Sequence, residues 1–379
     1  MAGPLEVRLV CPADNGEVEA VEAFFDACPT SFAQQTIHWK NVVAPIGPDE
    51  PLFLACRVQG KIVAVLPAYK FDGPLGSILT TAAQAGALGG VACNALSDVE
   101  RVYETLLTAF VELARERGCA VATVITNPFW PDHELCHRFL KPDFALENNC
   151  QVLDLETAIE SNGQFTGTAT NVRRNLKKAE SCRLFIDEAQ TERNVHEWYE
   201  LHAARHRDIG ATPLPRAMFT GALREMIPHD KARFFFVRLL DEPQEMVAGG
   251  FYVYHGQVMD ALMPSVRTDY RRFAPNFYLA AYTIRWAKAR GLGYYNWEGS
   301  PPESGVYRFK RQWGSRDAVY YFFTRITGDV SLLMQSSVEF LREAYRWHYV
   351  IPYDKLGVGP GESSAASSRK SAWEAMTGA

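Results

Sequence analysis

The segment that decides the fold reads YRRFAPN at residues 270–276, YYNWEG at residues 294–299 and GVYRFKRQWG at residues 305–314. Between the first two runs, apolar residues recur at roughly helical spacing. Pro275 stands where a first helical turn tolerates a missing amide donor, and Gly291 is a typical helix stop. The segment therefore predicts a loop, a helix, a strand and a second loop, with basic residues in both loops.

The start of the predicted helix is a candidate site for negative charge. The first N–H groups of a helix have no partner within it, and the helix dipole favours anions at that end. Arg271 and Arg272 lie just before Pro275 and add positive charge. The sequence therefore predicts that a phosphate or a developing oxyanion binds at this helix end.

The composition is that of a globular protein with a full core. The chain has 379 residues, of which 47% are hydrophobic, and its formal net charge is −5. This charge gives no reason to expect a DNA-binding protein or a general membrane-surface binder. No run of about 18 apolar residues occurs, and the amino end lacks the pattern of a signal peptide. We therefore expect a cytoplasmic protein without membrane insertion.

The cysteines and histidines do not form a pattern typical of metal sites. All eight cysteines lie in the first half of the chain, at irregular spacings and without a Cys-x-x-Cys pair. This argues against a zinc site and against a secreted disulfide framework. His202 and His206 are four residues apart, but no third ligand has a suitable spacing. The sequence predicts no metal and no permanently bound cofactor.

Two stretches of the chain repeat one order of predicted elements. In residues 53–125 and again in residues 234–297, a strand hairpin precedes a helix, a glycine stop and a strand. We therefore predict an α/β chain with two related lobes, residues 1–160 and 161–330. A closing amphipathic helix over 331–356 and a disordered tail over 357–379 are predicted to follow.

Several motifs resemble those of the FemABX-like transferases of the GNAT superfamily. They are NVRRNLKKAE at residues 171–180, Arg205 in the helix that begins near Tyr199, AGG at 248–250, APN at 274–276, and the pairs Phe309-Lys310 and Trp313-Gly314. The likeness covers roughly residues 20–325. It implies two GNAT-like lobes, each a mixed, mostly antiparallel sheet flanked by helices. The first lobe is implied to be the acceptor side and the second to carry the donor site.

The resemblance also implies an activity. Members of the family transfer an aminoacyl group from transfer RNA, or an acyl group from a coenzyme A thioester, to an amine. It implies a small-molecule amine acceptor in the cleft between the lobes, with acyl-CoA or aminoacyl-tRNA as the donor co-substrate. Residues 271–276 lack the glycines of the simple acetyltransferase phosphate loop, and no long inserted coiled-coil arm is evident. The donor class therefore stays open.

Two residues are the candidates for catalysis. The resemblance implies that Lys310 stabilises the tetrahedral transition state, and the neighbouring arginines add positive charge. Glu298 ends a predicted strand beside a glycine, where a partly buried carboxylate can act as a general base. A structural ion pair between Glu298 and an arginine is an equal alternative. Asp260 and Asp269 are weaker candidates for the base, and deprotonation without a protein base is a further alternative.

The remaining candidates belong to the two substrate sites. The donor-binding candidates are Arg271, Arg272, Ala274, Pro275, Asn276 and Phe309, and the acceptor-binding candidates are Trp39, Tyr69, Arg173 and Arg205. A tryptophan and a tyrosine are also typical of a core. No nucleophile motif is present, so we expect amide formation by direct attack. The alternatives are acyl-CoA-dependent transfer to an amino sugar or amino acid, and a non-catalytic GNAT-like binding protein.

Overall fold

Helices and strands alternate along the chain in the computed structural model, which describes residues 3–47, 49–84, 87–94, 98–208 and 210–356. The described chain divides into two units. The first unit holds the residues up to Asn149 and those from Val319 onward, and the second unit holds Cys150–Ala318.

The elements of the first unit begin near the amino end. They are β1 (Leu5–Leu9), α1 (Asn15–Ala27), α2 (Ile37–Val43), β2 (Glu50–Val58), β3 (Lys61–Gly73), β4 (Gly76–Thr80), β5 (Ala92–Cys93), α3 (Val99–Glu116), β6 (Cys119–Ile125) and α4 (His133–Leu140). Strand β7 (Phe144–Asp154) then leads into the second unit.

The second unit continues the alternation. Its elements are α5 (Leu155–Ala158), α6 (Thr170–Ser181), β8 (Leu184–Asp187), α7 (Glu192–Asp208), α8 (Arg216–Glu225), β9 (Ala232–Leu239), β10 (Met246–His255), β11 (Val258–Ala261), β12 (Ser265–Val266), α9 (Pro275–Ala289), β13 (Tyr294–Asn296) and α10 (Gly305–Arg311). Strand β14 (Arg316–Ile326) leads back to the first unit, which also holds α11 (Ser331–Gln335) and α12 (Val338–Ala344).

The two units share one scheme of strand pairing. In the first unit the strand order is β1, β2, β3, β4, β6, β14, and only the pairing of β4 with β6 is parallel along this order. In the second unit the order is β8, β9, β10, β11, β13, β7, and only β11 with β13 is parallel. The predicted pair of lobes, each with a mixed and mostly antiparallel sheet, is confirmed.

Each unit has one long helix that precedes the second strand of its parallel pair. Helix α3 buries Leu106 and Phe110 in the core of the first unit, and α9 buries Ile284 in the core of the second. Gly118 and Gly291 follow these helices with φ of 65° and 77°, a conformation that glycine adopts without the clash of a Cβ atom. The helix and the glycine stop predicted in the segment after Pro275 are therefore present.

Two predictions of single elements are wrong. Residues 305–314 were predicted as a loop, but α10 occupies most of them. A single closing helix was predicted over 331–356, but the chain forms two short helices there. Ser336 and Ser337 have extended backbone, with ψ of 155° and 156°, and the Ser337 hydroxyl accepts the Phe340 N–H. Serine competes for backbone hydrogen bonds in this way, so it ends one helix and caps the next.

The division into units also differs from the predicted one. It falls between Asn149 and Cys150 rather than after residue 160, and the chain from Val319 belongs to the first unit. Residues 152–154 of β7 pair with β13, and residues 322–326 of β14 pair with β6. Long-range strand pairing therefore sets the division, which local composition does not reveal. The tail predicted over 357–379 lies outside the described residues.

Candidate active site

Helix α10 carries the lysine that the sequence singled out. Ser304 precedes the helix, and its hydroxyl accepts the Tyr307 N–H at 3.0 Å. The Phe309 ring lies 5.1 Å from the ring of Phe277 in α9 and 5.9 Å from that of Trp297 after β13, measured between centroids. The cap starts the helix, and the aromatic contacts fix which side of it faces inward.

We expect Ser304→Ala to lower the free energy of unfolding by about 1 kcal/mol, because it removes the acceptor that caps α10. Ser304→Asp keeps an acceptor at the cap and serves as the matched control. Urea unfolding followed by circular dichroism measures both variants. Equal stability of Ser304→Ala and the unchanged chain would contradict a capping role.

Lys310 is buried rather than displayed in a basic loop. Lys310 is 6% exposed, and its Nζ donates hydrogen bonds to Glu298 O at 2.9 Å and Gly299 O at 3.0 Å. Arg308 and Arg311 are exposed, so the structure separates the cations that the sequence grouped. Burial lowers the pKa of Lys310 to about 7, and the negative charge of the Glu298 carboxylate offsets part of that effect.

Burial of the ammonium should cost stability, so we expect Lys310→Met to be more stable than the unchanged chain at pH 6. The folded-state pKa is depressed from 10.5 to about 7. The unchanged chain therefore loses stability as the pH falls from above 10.5 to 7, and the loss is complete below that value. The pKa shift limits the stability that Lys310→Met can gain to about 5 kcal/mol. The two carbonyls that lose their bonds from Nζ cost about 1–3 kcal/mol.

A net gain of about 2 kcal/mol at pH 6 is therefore expected, and it should become a net loss near pH 10, where little of the ionisation penalty remains and the two hydrogen bonds are still missing. Urea unfolding at the two pH values measures it. If Lys310→Met loses the same stability at pH 6 as at pH 10, then burial of the Lys310 ammonium does not destabilise the folded protein.

The backbone turn at Glu298 provides the carbonyls that hold Lys310. Glu298 has φ of 61°, a left-handed conformation that is unusual for a residue with a Cβ atom. Asn296 Oδ1 accepts the Glu298 N–H at 3.0 Å, and Gln151 N donates to Glu298 O at 3.3 Å. The Glu298 side chain is half-buried. Left-handed residues held by several contacts are typical of functional sites.

Gln151 ties three elements of the site together. It lies in β7, where its backbone carbonyl accepts the Trp297 N–H at 2.8 Å. Its side-chain amide donates to Tyr307 O at 3.2 Å and accepts from Ser300 Oγ at 2.8 Å. Sequence reasoning missed this residue, because nothing near Gln151 in the chain connects it with a motif more than a hundred residues later.

Asp260 and Asn296 form a buried polar pair beneath this turn. They are opposite each other in the parallel pairing of β11 with β13, and both are 0% exposed. Asn296 Nδ2 donates to Asp260 Oδ1 at 2.7 Å. Burial raises the pKa of Asp260 to about 7, and the bond from Asn296 offsets part of that rise. Within the described residues, Asp260 Oδ2 has no hydrogen-bond partner.

The start of α9 leaves fewer free amides than the sequence predicted. Ala274 takes a left-handed conformation with φ of 54°, so it makes the turn that a glycine commonly makes. Pro275 has no N–H, and the amides of Phe277 and Tyr278 both donate to Ala274 O. Asn276 is half-buried. An anion at this helix end would therefore be held mainly by side chains, and the predicted anion site stays a prediction.

The arginines before α9 are accessible. Arg271 and Arg272 are both exposed, in a 3₁₀ turn over Thr268–Phe273. The Arg272 guanidinium lies 4.8 Å from the centroid of the Phe273 ring. Phe309, the last of the six donor-binding candidates, packs against Phe277. Their role in donor binding stays a prediction.

The four acceptor-binding candidates lie in different surroundings. Trp39 and Tyr69 are 0% exposed in the first unit, so the structure places them in its packed interior and not on an open wall. Arg173 lies in the first turn of α6 and donates to Thr168 O at 2.8 Å. Arg205 is half-buried in α7 of the same unit as Arg173. No contact with an acceptor follows from these positions, so their role stays a prediction.

His202 and His206 are packed against each other, with ring centroids 4.1 Å apart. Burial lowers the pKa of His202 to about 3. Across the part of the chain that the structure describes, no group of three or more His, Cys, Asp or Glu residues is placed to hold a metal ion. In that same part, no helix combines the length and the apolar character needed to span a bilayer.

Comparison with known proteins places this site within a recognised domain. Residues 167–311 match the family model described as the acetyltransferase (GNAT) domain. The match includes Lys310, Glu298 and every donor-binding candidate. Residues 167–311 are therefore a GNAT-type domain, as the resemblance to that superfamily predicted. A comparison with curated proteins finds no match.

Three solved structures are similar to this chain over both of its units. FemX has a TM-score of 0.65 at 12% identity, covering 81% of this chain and 96% of that one. The C-terminal domain of a putative lysylphosphatidylglycerol synthetase from Agrobacterium fabrum has a TM-score of 0.56 at 13% identity, covering 84% and 94%. A tandem GNAT protein from the clavulanic acid biosynthesis pathway has a TM-score of 0.53 at 12% identity, covering 86% and 99%. These identities show a shared fold, which is FemX-like and two-lobed.

Proposed function

We propose that this GNAT-type acyltransferase forms an amide bond by direct attack of an amine on an activated acyl or aminoacyl donor. The observation that carries the proposal is Lys310, a buried lysine held by two backbone carbonyls within the matched domain. A lysine whose pKa lies near 7 is present in both protonation states at neutral pH. Such a group can stabilise an oxyanion and can also release a proton.

The chemistry follows from these properties. The neutral amine attacks the donor carbonyl, and the tetrahedral oxyanion that forms is stabilised by the Lys310 ammonium. Collapse of this intermediate breaks the bond to the leaving oxygen or sulfur, which takes the proton from Lys310 Nζ. The amine loses its own proton to the Glu298 carboxylate, the base that we propose. Both groups return to their starting states by exchange with solvent.

The Cys150 thiol, which interacts electrostatically with Lys310, is unsuited to a covalent route. Cys150 is 0% exposed, and burial raises the pKa of its thiol well above the usual value. The thiolate is the nucleophilic form of cysteine, so this residue is held in its unreactive form. This supports direct transfer without an acyl-enzyme intermediate.

The donor is proposed to be an aminoacyl-tRNA or an acyl-CoA, bound by the donor-binding candidates named above. Arg271 and Arg272 are accessible and carry the positive charge that donor phosphates require. Both donors bring phosphate groups, so the arginines do not separate them. The acceptor is proposed to be a small amine that contacts Arg173 and Arg205.

A search for products tests the proposal. The protein is incubated with acetyl-CoA, a long-chain acyl-CoA or mixed aminoacyl-tRNAs, each with a mixture of amino acids and amino sugars, and amide products are identified by mass spectrometry. A product with one donor class supports the proposal and names the donor. Thermal shifts with the same donors run in parallel, since a ligand at about 100 times its Kd adds about 2.7 kcal/mol. Stabilisation by a donor without any product would favour a non-catalytic binding protein.

A further inference from the structure

We propose that Asp260 and Asn296 are positioning residues, which fix the place of Lys310 Nζ by orienting the backbone turn at Glu298. The kinetic part of this inference rests on the proposed function, and its geometric part does not. In the described part of the chain, no hydrogen bond or ion pair joins either residue to Lys310. Both act through the turn whose carbonyls hold it.

The first step is the orientation of the Asn296 side chain. The Glu298 N–H can only donate, so the Asn296 atom 3.0 Å from it is the carbonyl oxygen Oδ1. The amide nitrogen Nδ2 must then face the Asp260 carboxyl, which accepts from it at 2.7 Å. The Asp260 carboxyl thereby selects which end of the Asn296 amide faces the turn.

The second step is the turn itself. A left-handed residue with a Cβ atom is disfavoured because Cβ crowds the following carbonyl oxygen, and Glu298 adopts this conformation with φ of 61°. The Asn296 Oδ1 bond fixes the orientation of the Trp297–Glu298 peptide, from which the left-handed turn at Glu298 starts. In the left-handed conformation, the carbonyls of Glu298 and Gly299 both point to Lys310 Nζ.

The third step is burial. Asp260 and Asn296 are 0% exposed, so a substrate in solution does not reach them in this conformation. Burial disfavours a carboxylate at position 260, and the raised pKa of Asp260 reflects this. Asp260 lowers the stability of the fold and is not reached by a substrate. Its presence is explained if it positions Lys310, the residue that we propose contacts the reacting atoms.

The experiment compares Asp260→Leu with Asp260→Asn. Leucine removes the acceptor for Asn296 Nδ2, whereas asparagine keeps one oxygen to accept it. We expect Asp260→Leu to lower kcat by about 10-fold or more with little change in KM, and Asp260→Asn to restore most of the lost rate. Equal losses in the two variants would overturn a positioning role, since the charge or proton of Asp260 would then be what matters.

A second measurement needs no activity. Competitive labelling with trace acetic anhydride, read at Lys310 by mass spectrometry from pH 6 to 11, gives the titration of that lysine, with exposed Lys177 as the internal control. We expect Asp260→Leu to move the Lys310 titration upward by a pH unit or more, because a loosened turn admits water, and Asp260→Asn to leave it near that of the unchanged chain. An unchanged titration in Asp260→Leu would overturn the inference.

Asn296→Ser provides an independent route if Asp260→Leu does not fold. Serine is too short to bond with Asp260 and Glu298 together, so the same upward move of the Lys310 titration is expected. An unchanged titration in this folded variant would likewise overturn the inference. If no donor yields a product with the unchanged chain, the proposed function fails while the labelling result still decides the role of Asp260.

Discussion

Lys310→Met should lower kcat by about 10²–10³-fold, the usual cost of removing one donor that stabilises an oxyanion. Methionine matches the length of lysine without its charge, so it removes Nζ while filling the same buried volume. The loss should appear in kcat more than in KM, because the interaction with the oxyanion exists only in the transition state. Steady-state rates with the donor identified by the product search measure it.

The control for this variant is Lys177→Met, which removes an exposed lysine from α6. It should retain the rate of the unchanged chain, because it alters the net charge equally but lies on a solvated face. Turnover by Lys310→Met that matches that of Lys177→Met would remove Lys310 from the mechanism.

Glu298→Gln and Glu298→Gly should each lower kcat by about 10²-fold or more, the contribution typical of a general base. The two substitutions differ in what they leave in place. Glutamine keeps the size of the side chain, whereas glycine suits the left-handed backbone and keeps the bonds from Asn296 and to Lys310. Loss of rate in both variants would therefore assign the effect to the carboxylate rather than to the turn.

Glu303 offers a matched control for this pair. It also has a left-handed backbone, with φ of 63°, and it is exposed in the same connection between β13 and α10. Glu303→Gln and Glu303→Gly should retain the rate. If Glu298→Gly and Glu298→Gln are as active as these controls, then the acceptor is deprotonated without the protein base that we propose.

The sequence predicted the part of the site that is local in the chain. The proline, the helical spacing and the glycine stop specify α9 within one continuous segment, and the Phe309-Lys310 pair identified the lysine by resemblance. Its burial was not predictable, because RFKR reads as a solvated basic run. The aromatic contacts of Phe309 with Phe277 and Trp297 turn Lys310 inward, and these contacts join separate elements.

The remainder of the site depends on strand pairing. Gln151 and Asp260 meet the Glu298 turn only because β7 and β11 flank β13 in the sheet. No local periodicity encodes those neighbours. For Trp39 and Tyr69 the resemblance predicted too much. It implied contact with a substrate, but both side chains are fully buried.

The return of β14 to the first unit has a consequence for biosynthesis. Thr324 of β14 contacts Thr123 of β6 at a sequence separation of 201, so this sheet is completed by residues translated long after its other strands. At roughly 5–20 residues per second, the ribosome needs on the order of ten to forty seconds to make the intervening chain. During that interval β6 has an open edge, which is a site for aggregation or for chaperone binding. A nascent chain halted after residue 318 should therefore be far more prone to aggregate than the full-length product.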